Sequence, residues 1–437
     1  MSERETLLNQ AEDLLAAARA AGADAADTTM SIGTSLSVQR RLGKIEETER
    51  AESWGVGLRV FIGRKNASVS AGSIDPAAFR RLAEQAVAMA RLVPEDPYAE
   101  IPDAPPPIDP AFLQLDDPVE PAMAVLIRRA AEAEDAALAV PGITNSEGAS
   151  ASWGRSQAIL ATSKGFAGAY ARTSHGVSIS VIAGTGTGMQ RDYDFSASVH
   201  GDDLEDPALL GRRAARQALD RLNPARPKTA KLPVVFDPRV SNSFLSALSA
   251  AINGAAVARG TTFLKAKLGA RIFAPGITVV DDPLRVRGLR SRTFDGEGQR
   301  GEKRAFIADG VLTGWIMDTR SANQLGLKTT AHAGGVSNFH MEPGTISPEA
   351  LMADIGEGLY VTELMGGGVN GITGDYSRGA AGFMIRDGRR AEPVAEFTLA
   401  GHALAIFAGL RPANDLSFKR GINAPTLRVD GLTLAGG

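Results

Sequence analysis

The sequence predicts an α+β protein of two domains. Residues 1–226 are expected to form an antiparallel sheet with flanking helices, and residues 227–437 a strand-rich, barrel-like domain. Three observations carry this reading. Apolar residues recur at helical spacing in a few separated stretches, not in the regular alternation with strands that βαβ units require. Between them lie long runs of period-two alternation punctuated by glycine. Finally, Asn223-Pro224-Ala225-Arg226-Pro227 has the composition of a joint, and Leu232-Pro233-Val234-Val235-Phe236 then opens a new buried strand.

Each element follows from its residues. Leu7, Leu8, Ala11, Leu14, Leu15 and Ala18 recur every three or four positions and Gly22 follows as a stop, which predicts an amphipathic helix. From about Thr28 to Ala71 the alternation predicts antiparallel strands broken at Gly43, Gly55 and Gly63. A second helix, Pro76 to about Leu92, has its proline in the first turn, where the missing N–H costs little. Seven prolines between Pro94 and Pro110 forbid helix and central strand, so this stretch is an extended surface connector. A third helix spans about Val119 to Ala139, strands run from Ile143 to Val199 with a turn at Gly184–Gly188, and a fourth helix covers about Pro207 to Leu222.

Composition narrows the chemistry. At about 100–200 residues per domain, 437 residues suffice for two to three domains, and 44% hydrophobic with 22% charged residues is ordinary for a folded globular chain. A net charge of −3 argues against a dedicated nucleic-acid binder. The absence of cysteine excludes disulfides, iron–sulfur clusters, cysteine zinc sites and thiol catalysis. The amino terminus lacks the uninterrupted apolar stretch of a secretory signal, and nowhere do about 20 apolar residues run together. The expectation is therefore a cytoplasmic protein without a membrane anchor.

No motif by itself specifies a reaction. Gly296-Gly298-Gly301 and Gly366-Gly368-Gly371 match G-x-G-x-x-G, but neither is followed by a helix pattern, so both read as tight turns and not as a dinucleotide loop. A phosphate-binding G-x-x-x-x-G-K-[ST] and a G-x-S-x-G nucleophile elbow are both absent. The five histidines are His175, His200, His332, His340 and His402, and none is followed by glutamate. His332, His340 and Glu342 could form a weak metal site; polar loop residues are the simpler reading. Asp281-Asp282 before Pro283 reads as a turn opening more readily than as a carboxylate pair. Arg285, Arg287, Arg290 and Arg292, flanked by acids, read as a charge-balanced hairpin or a contact for a peptide carboxylate.

Longer segments carry a resemblance. GTTFLKAKLG (260–269), APGITVVDDPLRVRGLRSRTFDGEG (274–298), DIGEGLYVTELMGGGVNGITGDYSRGAAGFMIRDG (354–388), NAPTLRVDGLTLAG (423–436) and ESWGVGLRVFIGRKNASVSAGSID (52–75) resemble the TldD/PmbA family of cytoplasmic metalloprotease subunits. The catalytic TldD branch carries H-E-x-x-x-H on a helix early in the second domain and a cysteine ligand near the carboxyl end. The counterpart here, SNSFLSALSAAING (241–254), has no histidine, glutamate or aspartate, and cysteine is absent throughout.

The chain therefore resembles the TldE (PmbA) branch, and no catalytic or metal-ligating residue carries over to it. What that resemblance implies is a subunit inactive alone, with zinc expected only in a TldD-like partner. The heterodimer would enclose a chamber admitting unfolded peptides; a homodimer is one state open to the isolated chain. A regulatory peptide-binding protein of the DNA gyrase modulator kind is the alternative. Close backbone approach of a peptide is expected at Gly366, Gly367, Gly368, Asn370, Asp375 and Tyr376, where tight turns are the competing reading.

Overall fold

The computed structural model describes residues 3–436. In chain order the amino-terminal part contains α1 (Glu3–Ala20), β1 (Ala25–Arg41), β2 (Lys44–Ile62), β3 (Lys65–Ala71), α2 (Pro76–Leu92), α3 (Met123–Leu138), β4 (Ile143–Thr162), β5 (Ala167–Ala183), β6 (Gln190–Ser198) and α4 (Pro207–Asp220). The remainder comprises β7 (Ala230–Phe236), α5 (Pro238–Ala251), α6 (Gly254–Ala258), β8 (Val279–Asp281), β9 (Arg304–Ala308), β10 (Val311–Leu312), α7 (Thr319–Leu325), β11 (Phe339–Met341), α8 (Pro348–Met352), β12 (Glu357–Met365), β13 (Asp375–Arg386), β14 (Arg389–His402), α9 (Ala403–Gly409), β15 (Arg411–Pro412), β16 (Ile422–Asn423) and β17 (Leu427–Ala435). The class is α+β.

The first sheet is antiparallel throughout, in the order β3-β2-β1-β4-β5-β6, and curls into a half-barrel. Strand periodicity explains how it is covered. Ala26 and Met30 of β1 pack under α1 and α2, while Leu36 and Val38 pack under α3 and α4. All four are even-numbered positions of one strand, so the four helices lie on the same face. The odd positions Asp27, Thr29, Ser31, Gly33, Ser35 and Ser37 form the opposite, polar face. Gly33, Ser35 and Ser37 are matched across the ladder by Ser156, Gly154 and Ser152 of β4, and Gly154 and Ser152 in turn by Ser174 and Gly176 of β5.

Gly55 does not break a strand, as the alternation had suggested, but lies inside β2. The cause is crowding on the polar face: a Cβ at Gly55 would stand 3.0 Å from Ser31 Oγ, and one at Gly57 2.8 Å from Thr29 Oγ1. Glycine there lets hydroxyl-bearing strands stack closely. Gly43 and Gly63 are turns with positive φ, as expected. Helix α2 begins at the predicted proline because Asp75 caps it, its carboxylate accepting from the Ala77 N–H at 2.9 Å.

The carboxyl-terminal part has a five-stranded sheet, β10-β9-β8-β11-β16, and a six-stranded one, β14-β13-β12-β7-β17-β15. Pairing of the end strand β14 with β17, Thr398 opposite Ala435, closes the second sheet on itself, so β7, β12, β13, β14 and β17 form a five-stranded barrel with β15 outside it. Closure removes the exposed edges that long strands otherwise present. One large core serves barrel, second sheet and helices, including Phe236, Phe244, Phe273, Phe306, Phe339 and Phe407. Residues 283–292 do not form the expected hairpin but run as successive turns. Their arginines satisfy themselves separately: Arg285 covers the Phe418 ring, Arg287 reaches Asp203 and Gln114, and Arg292 donates to the Gly335 carbonyl. No helix among the described residues is long and apolar enough to cross a membrane.

Candidate functional site

Helix α5 and the glycine-rich segment after β12 come together in the barrel region. Asp237 caps α5, accepting from the Arg239 N–H at 2.9 Å, and also accepts from the Tyr360 hydroxyl at 2.8 Å. Burial, with Asp237 beside it, pushes the Tyr360 phenol well above its ordinary range, so it stays protonated as a donor. Ser241, Phe244, Leu245, Leu248 and Ala251 form the buried face of α5, leaving Asn242, Ser243, Ser246 and Ser249 on the more open side. Phe244 packs edge-on against Phe236 at 4.8 Å and lies 5.7 Å from the Tyr376 ring.

That last contact places the glycine segment. Tyr376, in β13, is buried with its hydroxyl unpartnered among the described residues, and burial raises its pKa. The loop between β12 and β13 is organised by Asn370, whose side-chain oxygen accepts from the Ile372 N–H at 2.9 Å and whose N–H donates to the Asp375 carbonyl at 2.7 Å. The Asp375 carboxylate accepts from the Thr373 hydroxyl at 2.7 Å. Gly366 has φ +68°, which side chains rarely adopt, and a Cβ there or at Gly368 would meet nothing within 4 Å. A Cβ at Gly367 would lie 3.1 Å from the Ser377 carbonyl. The outer side of this loop is thus open backbone.

A second feature is the space over the polar face of the half-barrel. A cavity of about 480 Å³ lies between Asp27, Arg59, Ser68 and Ser70 of the sheet and Glu297 and Asp318 of the carboxyl-terminal part. A neighbouring one of about 540 Å³ adds Tyr170, Arg292 and Phe294. Burial raises the pKa of Asp27, with Arg59 at 2.6 Å opposing it. Burial raises Asp295 against backbone donors from Glu297, Ala333 and Gln299. It raises Glu297 too, against the Thr319 N–H and hydroxyl at 2.9 and 2.6 Å.

The histidines go to separate tasks. His332 Nε2 is 3.0 Å from Asp281 Oδ2, which also accepts from the Ser337 hydroxyl at 2.7 Å, all of it buried. Because Ser337 donates to the aspartate and not to the imidazole, this is a structural cluster and not a nucleophile with its base. Asp281 lies more than fifty positions from both His332 and Ser337, so no local spacing signals the cluster. Only Asp282 forms the expected turn, accepting from the Leu284 N–H at 3.0 Å. His340 approaches Glu342 at 3.7 Å. Neither G-x-G-x-x-G segment leads into a helix: β9 follows the first and β13 the second.

Zinc is held by imidazole, thiolate and carboxylate ligands. Helix α5 offers hydroxyls and one amide at the positions expected to hold it, and among the described residues no group of three or more histidines and carboxylates is arranged to hold a metal ion. The residues of α5 do not fit a zinc ion.

Three family models match the chain: PmbA/TldA metallopeptidase domain 1 over residues 26–90, the central domain over 113–222 and the C-terminal domain over 229–436. The metalloprotease PmbA of Escherichia coli is 36% identical over 94% of this chain and 92% of its own. For the PmbA homologue of Haemophilus influenzae the identity is 32% over 97% and 94%. The TldD homologue of that organism reaches 24% over 57% of this chain and 58% of its own. The crystal structure of a proposed modulator of DNA gyrase from Bacteroides thetaiotaomicron superposes with a TM-score of 0.88 at 25% identity, covering 98% of both chains. TldE of Thermococcus kodakarensis shares the fold, with a TM-score of 0.85 at 20% identity over 98% of this chain and all of its own. The chain belongs to the PmbA/TldD metallopeptidase family, on its PmbA branch.

Proposed function

We propose that this chain is the non-catalytic subunit of a two-chain cytoplasmic zinc metallopeptidase acting on unfolded peptides, the metal being held by a TldD-like partner. The observation that carries the reading is α5: a capped helix packed on one face, whose open side presents Asn242, Ser243, Ser246 and Ser249 where the catalytic branch carries its ligands. A chain relieved of metal chemistry retains the other requirements of a peptide chamber. Its half-barrel face is lined by small hydroxyl-bearing residues, and the segment Gly366, Gly367 and Gly368, open at Gly366 and Gly368, held by Asn370 and Asp375 and anchored through Tyr376, suits main-chain approach by an extended peptide. The division into units 1–226 and 227–437 belongs to the same proposal.

The test is hydrolysis of an unstructured peptide by the chain alone, by a TldD-like protein alone and by the mixture. Chelator-sensitive cleavage confined to, or strongly raised in, the mixture is the expected result. Chelator-sensitive cleavage by the lone chain would overturn the reading, and binding of peptide by a homodimer indifferent to any TldD-like protein would favour a regulatory peptide-binding role.

A further inference from the structure

Where β6 and α4 meet the barrel, a cavity of about 300 Å³ opens beside the first turn of α5. Its wall carries four arginines, Arg191, Arg221, Arg239 and Arg378, and one carboxylate, Glu363. Three of the arginines are engaged. Arg239 Nη2 lies 2.6 Å from the buried Asp192 carboxylate, Arg221 reaches Asp192 at 3.4 Å and also Glu363, and Arg191 stands 3.5 Å from Glu147. Burial works to lower the Arg239 pKa, but the Asp192 carboxylate more than offsets it and holds the guanidinium charged.

Arg378 is different. It donates one long hydrogen bond, 3.3 Å from Nη2 to the Leu364 carbonyl, and its Nε, shielded from solvent, has no partner among the described residues. Thr362, which also lines the cavity, has an equally shielded and unpartnered hydroxyl. Its direction has a cause in the register: Val361 pairs with Gly382 and Glu363 with Ala381, so Thr362 is the extra residue of a β-bulge. Bulges re-aim a side chain out of the ladder.

We propose that this pocket binds an oxyanion of the carboxylate or phosphate type, held by the Arg378 guanidinium and the Thr362 hydroxyl. Two shielded donors left unpaired are costly, and both are satisfied at once by a group with two or three acceptor oxygens. A guanidinium fork matches carboxylate and phosphate in geometry as well as charge. Arg191, Arg221 and Arg239 are balanced by Glu147, Glu363 and Asp192, which leaves Arg378 as the guanidinium of the wall without a carboxylate among the described residues, a setting that favours an anion over a cation. The volume suits a chain terminus or a small free anion. The inference stands independently of any catalytic partner.

Two sources share this chemistry, the terminal carboxylate of a peptide and inorganic phosphate. Calorimetric titration of the whole chain at constant ionic strength, with a short glycine–alanine peptide bearing a free carboxyl terminus, its carboxyl-terminal amide, and inorganic phosphate, separates them. Binding of the acid peptide with at least about tenfold weaker binding of the amide assigns the site to a chain terminus; binding of phosphate alone assigns it to a free anion. In either case Arg378→Gln and Thr362→Val each weaken binding at least about tenfold. Thr362→Val removes a shielded unpaired hydroxyl, so it does so without lowering the unfolding midpoint. No binding of any probe, or binding unchanged in both variants, would overturn the proposal.

Discussion

Asp192 is the residue whose removal tests the packing between half-barrel and barrel most sharply. It sits in β6 with its carboxylate almost fully buried, and receives Arg239 from the start of α5 at 2.6 Å and Arg221 from the end of α4 at 3.4 Å. Replacing Asp192 by alanine strands the mostly buried Arg239 guanidinium and leaves Arg221 with Glu363 alone, a change that costs about 3–5 kcal/mol when one partner of a buried ion pair is lost. Asp192→Asn keeps the shape and one acceptor oxygen, so its cost falls to about 1–3 kcal/mol, the penalty of imperfect pairing. A loss of about 3 kcal/mol lowers the ratio of folded to unfolded protein roughly a hundredfold. Urea unfolding followed by tryptophan fluorescence, with Trp153 in the half-barrel and Trp315 in the barrel-side core, reads this as a lower midpoint at unchanged slope. An Asp192→Ala midpoint indistinguishable from the parent would refute the reasoning. So would an Asn variant less stable than the Ala variant.

Three further expectations follow from particular contacts. Phe244→Ala removes a ring packed against Phe236 and Tyr376 and is expected to cost about 3–5 kcal/mol, measured as a drop in the urea midpoint. Gly382→Ala places a Cβ 2.0 Å from the Tyr360 carbonyl oxygen, forcing barrel backbone to move; a loss of at least about 2 kcal/mol is expected, and an unchanged midpoint would show that the β12–β13 pairing yields easily. His175 is buried, 3.2 Å from Asp117 Oδ2 but outside hydrogen-bond geometry, and burial lowers its pKa from 6.5, with Asp117 opposing. The unfolded chain therefore takes up this proton first as pH falls below 6.5, so the stability His175 contributes is present above that pH and lost beneath it. His175→Gln should flatten the decline by up to about 1.4 kcal/mol per pH unit, and parallel profiles for parent and variant would contradict the assignment.

Local chemistry made much of the fold legible. Pro76 marked the start of α2 because a first-turn proline acts within a few residues, and the glycines at 43 and 63 marked turns because positive φ is a property of single positions. Gly55 misled for the complementary reason: its role is set by Ser31 on the neighbouring strand. The prolines of 94–110 foretold an extended connector, whereas the arginines at 285–292 suggested a hairpin that their distant partners, Phe418, Asp203 and Gly335, do not allow. Closure of the barrel through Thr398 and Ala435, the Asp281–His332–Ser337 cluster and the arginine pocket all join residues far apart in the chain. No periodicity of 2 or 3.6 encodes such contacts. The hydroxyl and amide side chains of α5 were readable because they are a matter of residue type on one helix, whereas the bulge that turns Thr362 into its pocket is a matter of register.

The central claim is that this chain contributes structure and not metal to a two-chain peptidase. Native mass measurement of the mixture with a TldD-like protein, combined with zinc analysis of each separated chain, addresses it directly. A complex holding one copy of each chain, with zinc retained only by the TldD-like protein, is the result predicted. Stoichiometric zinc on this chain alone, or failure of the two chains to associate, would contradict it.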